Sequence, residues 1–171
     1  MTTWLWEKTA DGTARFVLGT EGEHPLVCFG INPSTAVPNN LDPTVTRVSK
    51  FASRTPGQFD SWVMFNVYPQ ISTDPTGMHL ALDPDLKAEN ERHIAQLVDG
   101  RALTLLAAWG TLVESRPYLL DAMRDIVQLP ELQACTWVSL GDPTKAGHPR
   151  HPLYLKSATP FVPFDVAAYV A

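Results

Sequence analysis

The sequence predicts an α/β fold of three layers (α/β/α), in which helices cover both faces of a central four-stranded parallel sheet that follows an N-terminal hairpin. Two observations carry this prediction: short, continuous apolar runs recur along the chain, and segments with helical spacing separate them. Such apolar runs are typical of strands that are buried on both faces. Strands that alternate with helices along a chain form a parallel sheet.

The elements follow in order from the N-terminus. Residues 3–8 and 14–19 alternate apolar and polar positions around Asp11-Gly12, which predicts a hairpin. Two helices are predicted to begin at Asp42-Pro43 and Asp83-Pro84, because each pair places an N-cap residue before a proline at the first helical position. A third helix is predicted over 112–128, and buried strands are predicted at 25–30, 61–66, 102–110 and 134–140.

Length and composition narrow the class of protein. A chain of 171 residues without repeat, linker or low-complexity stretch is expected to form one domain over residues 1–171. The net charge of −5 argues against sequence-independent coating of DNA, which needs clustered Lys and Arg. No apolar run approaches the ~18 residues of a membrane span, so no contact with a membrane is expected.

The two cysteines and the N-terminus indicate the compartment. Cys28 and Cys135 both lie in apolar runs, which predicts buried thiols in a reducing environment. The first residues lack the basic and apolar regions of a secretory signal. A cytoplasmic protein is therefore expected.

Polar residues follow the predicted strands. Because parallel strands end at one edge of a sheet, the loops after them should converge there and form a ligand site. Asn32 and Asn66 each follow an apolar run, and a carboxamide can read the planar edge of a pyrimidine or position a water molecule. The alternative is that each amide caps the local backbone.

Cations collect in the last of these loops. Residues 141–155 contain Lys145, His148, Arg150 and His151 against the single acid Asp142, which indicates a site for an anion such as phosphate. Imidazole can also exchange a proton near neutral pH. The alternative is a solvated loop.

Other kinds of site are poorly supported. His148 and His151 lack a nearby cysteine or carboxylate that would complete a zinc site. Ser34 and Thr35 could be nucleophiles, but no G-x-S-x-G elbow surrounds them. The chain has no P-loop and no G-x-G-x-x-G. No cofactor and no metal are expected.

Several of these segments also form familiar motifs: N-P-S-T-A at 32–36, D-P-T at 42–44 with Arg47, T-K at 144–145, and P-R-H-P-L-Y-L at 149–155. In them the chain resembles the bacterial domain-of-unknown-function family DUF1643. A second set is G-I-N-P at 30–33, F-N at 65–66, W-G at 109–110 and H-P-L at 151–153. In this order the set resembles motifs of the uracil-DNA glycosylase superfamily.

The second resemblance implies a glycosylase-like fold and a role for each matched residue. Asn32 would orient a water molecule, Asn66 would read the base, and His151 would hydrogen-bond the oxygen of the departing base. Asn32 stands where the strongest glycosylases have an aspartate, and an amide cannot act as a base, so slow hydrolysis is expected. The other expected ligand contacts are Gly30, Ile31, Pro33, Ser34, Thr35, Tyr68, Arg47, Lys145, His148 and Arg150.

Three functions follow as hypotheses. The first is an enzyme that hydrolyses an N-glycosidic bond in a nucleotide or a nucleic acid. The second is a non-catalytic module that binds a nucleotide or nucleobase. The third is an unrelated α/β hydrolase that uses Ser34 or His151. The expected partner is a ligand that contains a nucleobase, and a nucleic acid remains an open alternative.

Overall fold

The computed structural model of the protein describes residues 1–171. Seven strands form one sheet: β1 (Trp4–Lys8), β2 (Arg15–Thr20), β3 (Pro25–Gly30), β4 (Ser61–Asn66), β5 (Thr104–Ala107), β6 (Thr136–Leu140) and β7 (Phe161–Pro163). Four α-helices accompany it: α1 (Pro43–Ser53), α2 (Pro84–Val98), α3 (Leu119–Val127) and α4 (Val166–Val170).

The sheet has the order β1-β2-β4-β3-β5-β6-β7. The four central strands β4, β3, β5 and β6 are parallel. The prediction of an α/β fold is therefore confirmed, but the prediction of a four-stranded sheet is wrong, because three antiparallel strands extend it to seven.

The extra strands have two physical causes. The hairpin of β1 and β2 does form, but β2 is almost entirely buried and pairs with β4, so the hairpin continues the sheet instead of standing apart from it. Strand β7 has only three residues and ends at Pro163. A segment this short carries no alternating pattern from which a strand could be predicted.

Helices cover both faces of the sheet. The core on one face contains Val45, Val48 and Phe51 of α1. The core on the other face contains residues of α2, α3 and α4, among them Ile94 and Met123. Three layers result, as predicted. No helix is both long and apolar enough to cross a membrane.

The predicted helix starts at Asp42 and Asp83 are confirmed, since both side chains cap their helices. The predicted third helix is too long, because a 3₁₀ turn occupies Gly110–Ser115 and α3 begins only at Leu119. The prediction of two buried thiols holds for Cys28, whereas Cys135 is partly exposed just before β6.

The position of β3 determines where a site can form. Strand β4 lies on one side of β3 and β5 lies on the other, so consecutive parallel strands leave β3 in opposite directions. In open α/β sheets, ligands bind where the order of strands reverses in this way, outside the carboxyl ends of the strands.

Candidate functional site

A cavity of about 290 Å³ opens at the carboxyl ends of β3, β4 and β5, against the first turn of α1. Loops that are far apart in the sequence line it, because topology brings them to this edge of the sheet. The predicted site residues that line the cavity are Gly30, Ile31, Asn32, Pro33, Ser34, Thr35, Asn66 and His151.

Asn66 is the last residue of β4 and is only 2% exposed. Its backbone carbonyl accepts a hydrogen bond of 2.8 Å from Asn90 Nδ2, which fixes the end of the strand. Its own side-chain Nδ2 is buried and has no hydrogen-bond partner. The amide therefore offers a donor that the fold itself does not use.

Gly30 is paired in register with Asn66 on the neighbouring strand. A Cβ atom at position 30 would lie 3.1 Å from Asn66 Oδ1, which is closer than most such contacts. The glycine thus leaves the room that the Asn66 amide occupies at the cavity wall.

Asn32 follows β3, and its side-chain nitrogen donates hydrogen bonds to the backbone. Its Nδ2 donates hydrogen bonds to the carbonyl oxygens of Pro33, at 3.1 Å, and Ser72, at 2.9 Å. Both amide hydrogens are thereby committed, and the side-chain oxygen is left as an acceptor. Asn32 can accept a hydrogen bond from a water molecule but has no hydrogen left to donate to a ligand.

His151 lines the cavity and caps the short 3₁₀ turn Pro152–Tyr154. Its Nδ1 accepts a hydrogen bond of 3.2 Å from the backbone N–H of Leu153, so in the neutral ring the proton lies on Nε2. Burial lowers the pKa of His151 below its ordinary value, and the charge of Asp42 opposes this shift. The ring is therefore a neutral Nε2–H donor near pH 7.

The remaining predicted residues lie elsewhere. Tyr68 is buried, and its hydroxyl contacts His79 Nδ1 at 2.6 Å. Arg47 donates to the carbonyl of Leu155 and stacks over a phenylalanine ring of α1. Lys145 and Arg150 are exposed in the loop after β6. The structure thus does not bring the predicted cluster of cations together at the cavity.

His148 belongs to a separate network behind the cavity. Trp109 Nε1 donates to the hydroxyl of Tyr169 at 3.0 Å, and this hydroxyl contacts His148 Nδ1 at 2.8 Å. His148 Nε2 in turn lies 2.9 Å from Glu114 Oε1. Because Trp109 lines the cavity, the network connects the cavity wall to α4 and to the loop that carries His151.

Two charged residues that were not predicted from the sequence as site residues also line the cavity. Arg15, at the start of β2, is 2% exposed. Burial lowers its pKa to about 10, against the charge of Asp42. The sequence analysis treated Arg15 as a polar position of the alternating strand over 14–19, so no signal marked it as buried.

Asp42 is the other missed residue and the one acidic side chain that lines the cavity. Its Oδ1 accepts a hydrogen bond of 2.8 Å from the backbone N–H of Val45, so it caps α1. The capping role by itself explains why an aspartate stands before Pro43, so nothing in the sequence predicts a second role for Asp42.

The polar side chains at the cavity include amides, hydroxyls, one carboxylate, one guanidinium and one imidazole, beside the thiol of Cys28 and the indole of Trp109. No cluster of three or more His, Cys, Asp or Glu side chains that could hold a metal ion occurs in the structure. The arrangement can read a planar polar ligand and can donate a hydrogen bond to an oxygen that gains negative charge.

Comparison with known proteins gives one match. A model of the family described as "Protein of unknown function (DUF1643)" matches residues 15–153. This segment contains every residue that lines the cavity. No curated protein and no solved structure matches the chain.

Proposed function

The chain belongs to the DUF1643 family, and from its cavity we propose that it binds a ligand containing a nucleobase and hydrolyses the bond between base and sugar. The observation that carries this proposal is the buried amide of Asn66, whose Nδ2 has no partner in the fold. A buried donor without a partner costs about 1–3 kcal/mol. A ligand that accepts from Nδ2 recovers this free energy.

The size of the cavity supports a base as the buried part of the ligand. Its volume of about 290 Å³ is at the lower end of the range for small-molecule sites. A single heterocycle fits such a space, and the Asn66 amide matches the alternating donor and acceptor edge of a pyrimidine or of a purine lactam.

One side chain, His151, supplies what the departing base requires. Cleavage of the N-glycosidic bond leaves its electron pair on the base, so negative charge develops on a carbonyl oxygen of the base. The Nε2–H of neutral His151 can donate a hydrogen bond to this oxygen. Donors that are already oriented stabilise such charge more in the transition state than in the ground state.

Two further side chains can act on water. The free Oδ1 of Asn32 can accept a hydrogen bond from the water molecule that attacks C1′ of the sugar. As the C–O bond forms and the C–N bond breaks, the water loses a proton, and Asp42 provides a carboxylate that can take it. Asp42 thus offers the base that an amide at position 32 cannot provide.

One observation favours a second candidate, a nucleobase-binding module without hydrolysis. The side-chain nitrogen of Asn32 donates hydrogen bonds to two backbone carbonyl oxygens. This structural role explains an asparagine at position 32 even if the protein activates no water molecule. For the third hypothesis, an unrelated hydrolase, a serine nucleophile needs a partner base. Ser34 forms no side-chain hydrogen bond to a histidine or a carboxylate, so no observation favours Ser34 as a nucleophile.

Release of free base tests the proposal. The protein is incubated with nucleotides and with single-stranded and duplex oligonucleotides that contain uracil, thymine or guanine, and free base is measured by chromatography. Release by the wild type but not by His151→Ala supports hydrolysis. Binding of bases without release supports the module, and neither binding nor release contradicts both proposals.

A further inference from the structure

We infer that the Arg15 side of the cavity is a binding site for a phosphate group, so that the ligand is a nucleotide rather than a free base or a nucleoside. That the ligand carries a base rests on the proposed function. The phosphate site is argued from other residues. These residues are Arg15, the hydroxyls of Ser34 and Thr35, and the first turn of α1 at Thr44.

The state of the Arg15 guanidinium is the main observation. Its NH1 donates one hydrogen bond of 3.1 Å, to the carbonyl of Ala36, and its buried Nε has no partner. The salt bridges of the chain all involve other residues. Arginine is rarely buried without a paired anion, and this one keeps most of its five N–H groups for another acceptor.

A purely structural role explains less of the geometry. Arg15 could serve only as a distant counter-charge for Asp42, whose charge acts on it. However, Asp42 does not form an ion pair with Arg15, and one of its oxygens is already bonded to the N–H of Val45. A group that brings its own oxygen atoms to Arg15 satisfies the buried Nε, which Asp42 does not.

The surroundings of Arg15 suit phosphate. Helix α1 has 11 residues and presents its N-terminus to the cavity, where its dipole favours negative charge. Ser34, Thr35 and Thr44 line the same space with hydroxyl groups that can donate to phosphate oxygens. Asp42 is the one carboxylate that lines this space, and the charge of Arg15 offsets part of its negative charge.

The base-reading residue and Arg15 lie at the same end of the sheet. The backbone N–H of Arg15 donates to the carbonyl of Pro69 at 2.9 Å, in the segment that directly follows Asn66. Both side chains are 2% exposed and both hold a buried nitrogen without a partner. One ligand with an acceptor at each end satisfies both nitrogens.

Calorimetric titration of the full chain tests this inference. The probes are inorganic phosphate, sodium acetate, uridine and uridine monophosphate, and the proteins are the wild type, Arg15→Met and Arg92→Met. Arg92 pairs with Glu89 on the exposed face of α2 and is a control of equal charge. We expect the wild type to bind the monophosphate at least about tenfold more tightly than the nucleoside, an advantage that Arg15→Met loses and Arg92→Met keeps.

The outcomes separate the two proposals. Equal affinity for uridine and its monophosphate in the wild type overturns the phosphate site and leaves the base site intact. Binding of inorganic phosphate with no added affinity from the base overturns the proposed function and supports the phosphate site. Acetate that competes as well as phosphate overturns the assignment to phosphate.

A measurement on the wild type covers the case in which Arg15→Met does not fold. In a ¹H–¹⁵N spectrum, the buried Nε–H of Arg15 should shift on addition of inorganic phosphate, while the Nε–H of the exposed Arg92 should not. An Arg15 signal that does not move at a saturating concentration of phosphate overturns the inference.

Discussion

Asn66 and Gly30 face each other at the ends of two neighbouring parallel strands, and a Cβ atom on Gly30 would lie 3.1 Å from Asn66 Oδ1. The amide therefore occupies room that a side chain at position 30 would take, and its Nδ2 has no hydrogen-bond partner in the fold. This arrangement separates the role of Asn66 from that of Asn90, a second buried asparagine that supports the same strand end.

The two buried asparagines should respond differently to substitution. Asn66→Ala should weaken binding of a free base by about 1–3 kcal/mol, because the base loses its amide partner. Asn90→Ala should instead lower the free energy of unfolding by about 1–3 kcal/mol, because it leaves the buried carbonyl of Asn66 without a donor. Calorimetry and denaturant unfolding of both variants measure the difference. Unchanged base affinity in Asn66→Ala would remove the base-reading site.

Asn32 should affect turnover more than binding. In Asn32→Ala, the acceptor for the attacking water is lost, so the rate of base release should fall while base affinity stays near that of the wild type. The backbone N–H of Ser72 still donates to the carbonyl of Pro33, which keeps the adjacent loop attached. A variant that releases base at the rate of the wild type would show that Asn32 only holds the backbone.

Two matched N-caps test the role of Asp42. Asp42 and Asp83 both cap a helix that begins with proline, and asparagine is as good a cap as aspartate. Asp42→Asn should therefore fold normally but release base about 100-fold more slowly, because the carboxylate that takes the proton is lost. Asp83→Asn serves as the control and should retain the rate. Comparable rates in both variants would exclude Asp42 as the base.

His151 should titrate below its ordinary pKa of 6.5, because burial disfavours the charged ring. The folded state then binds fewer protons than the unfolded state in this range, so the contribution of His151 to stability is complete above about pH 6.5 and is lost as the pH falls toward the lower pKa of the folded state. A titration followed by NMR measures this pKa in the wild type and in Asp42→Asn, where it should fall further. A pKa above 6.5 would contradict the neutral donor.

The four parallel strands at the centre of the sheet could be predicted from the sequence, because each is a short apolar run. Such a run is recognisable without knowing which strand pairs with it. The sequence could not predict that the hairpin joins the sheet, since pairing between β2 and β4 depends on tertiary contacts that local alternation does not encode. The strand β7 is too short to carry a pattern at all.

The same limit applies to the site. The sequence could predict that Asn66 and His151 lie at one edge of the sheet, because Asn66 ends a recognisable strand and His151 lies in the loop after another, and both line the cavity. Lys145 and Arg150 were predicted from local charge, but charge along a loop does not fix the direction in which the side chains point. Arg15 was missed because nothing in its neighbourhood in the sequence shows that the strand buries it beside the cavity.

The contact between His148 and Tyr169 has a practical consequence for anyone who trims the chain. The family match ends at residue 153, whereas Tyr169 lies in the short helix α4 beyond it. A protein shortened to the matched segment would keep every residue of the cavity wall and still lose the hydroxyl that joins Trp109 to His148. The boundaries of the family therefore understate the length of chain needed to hold His148 in position.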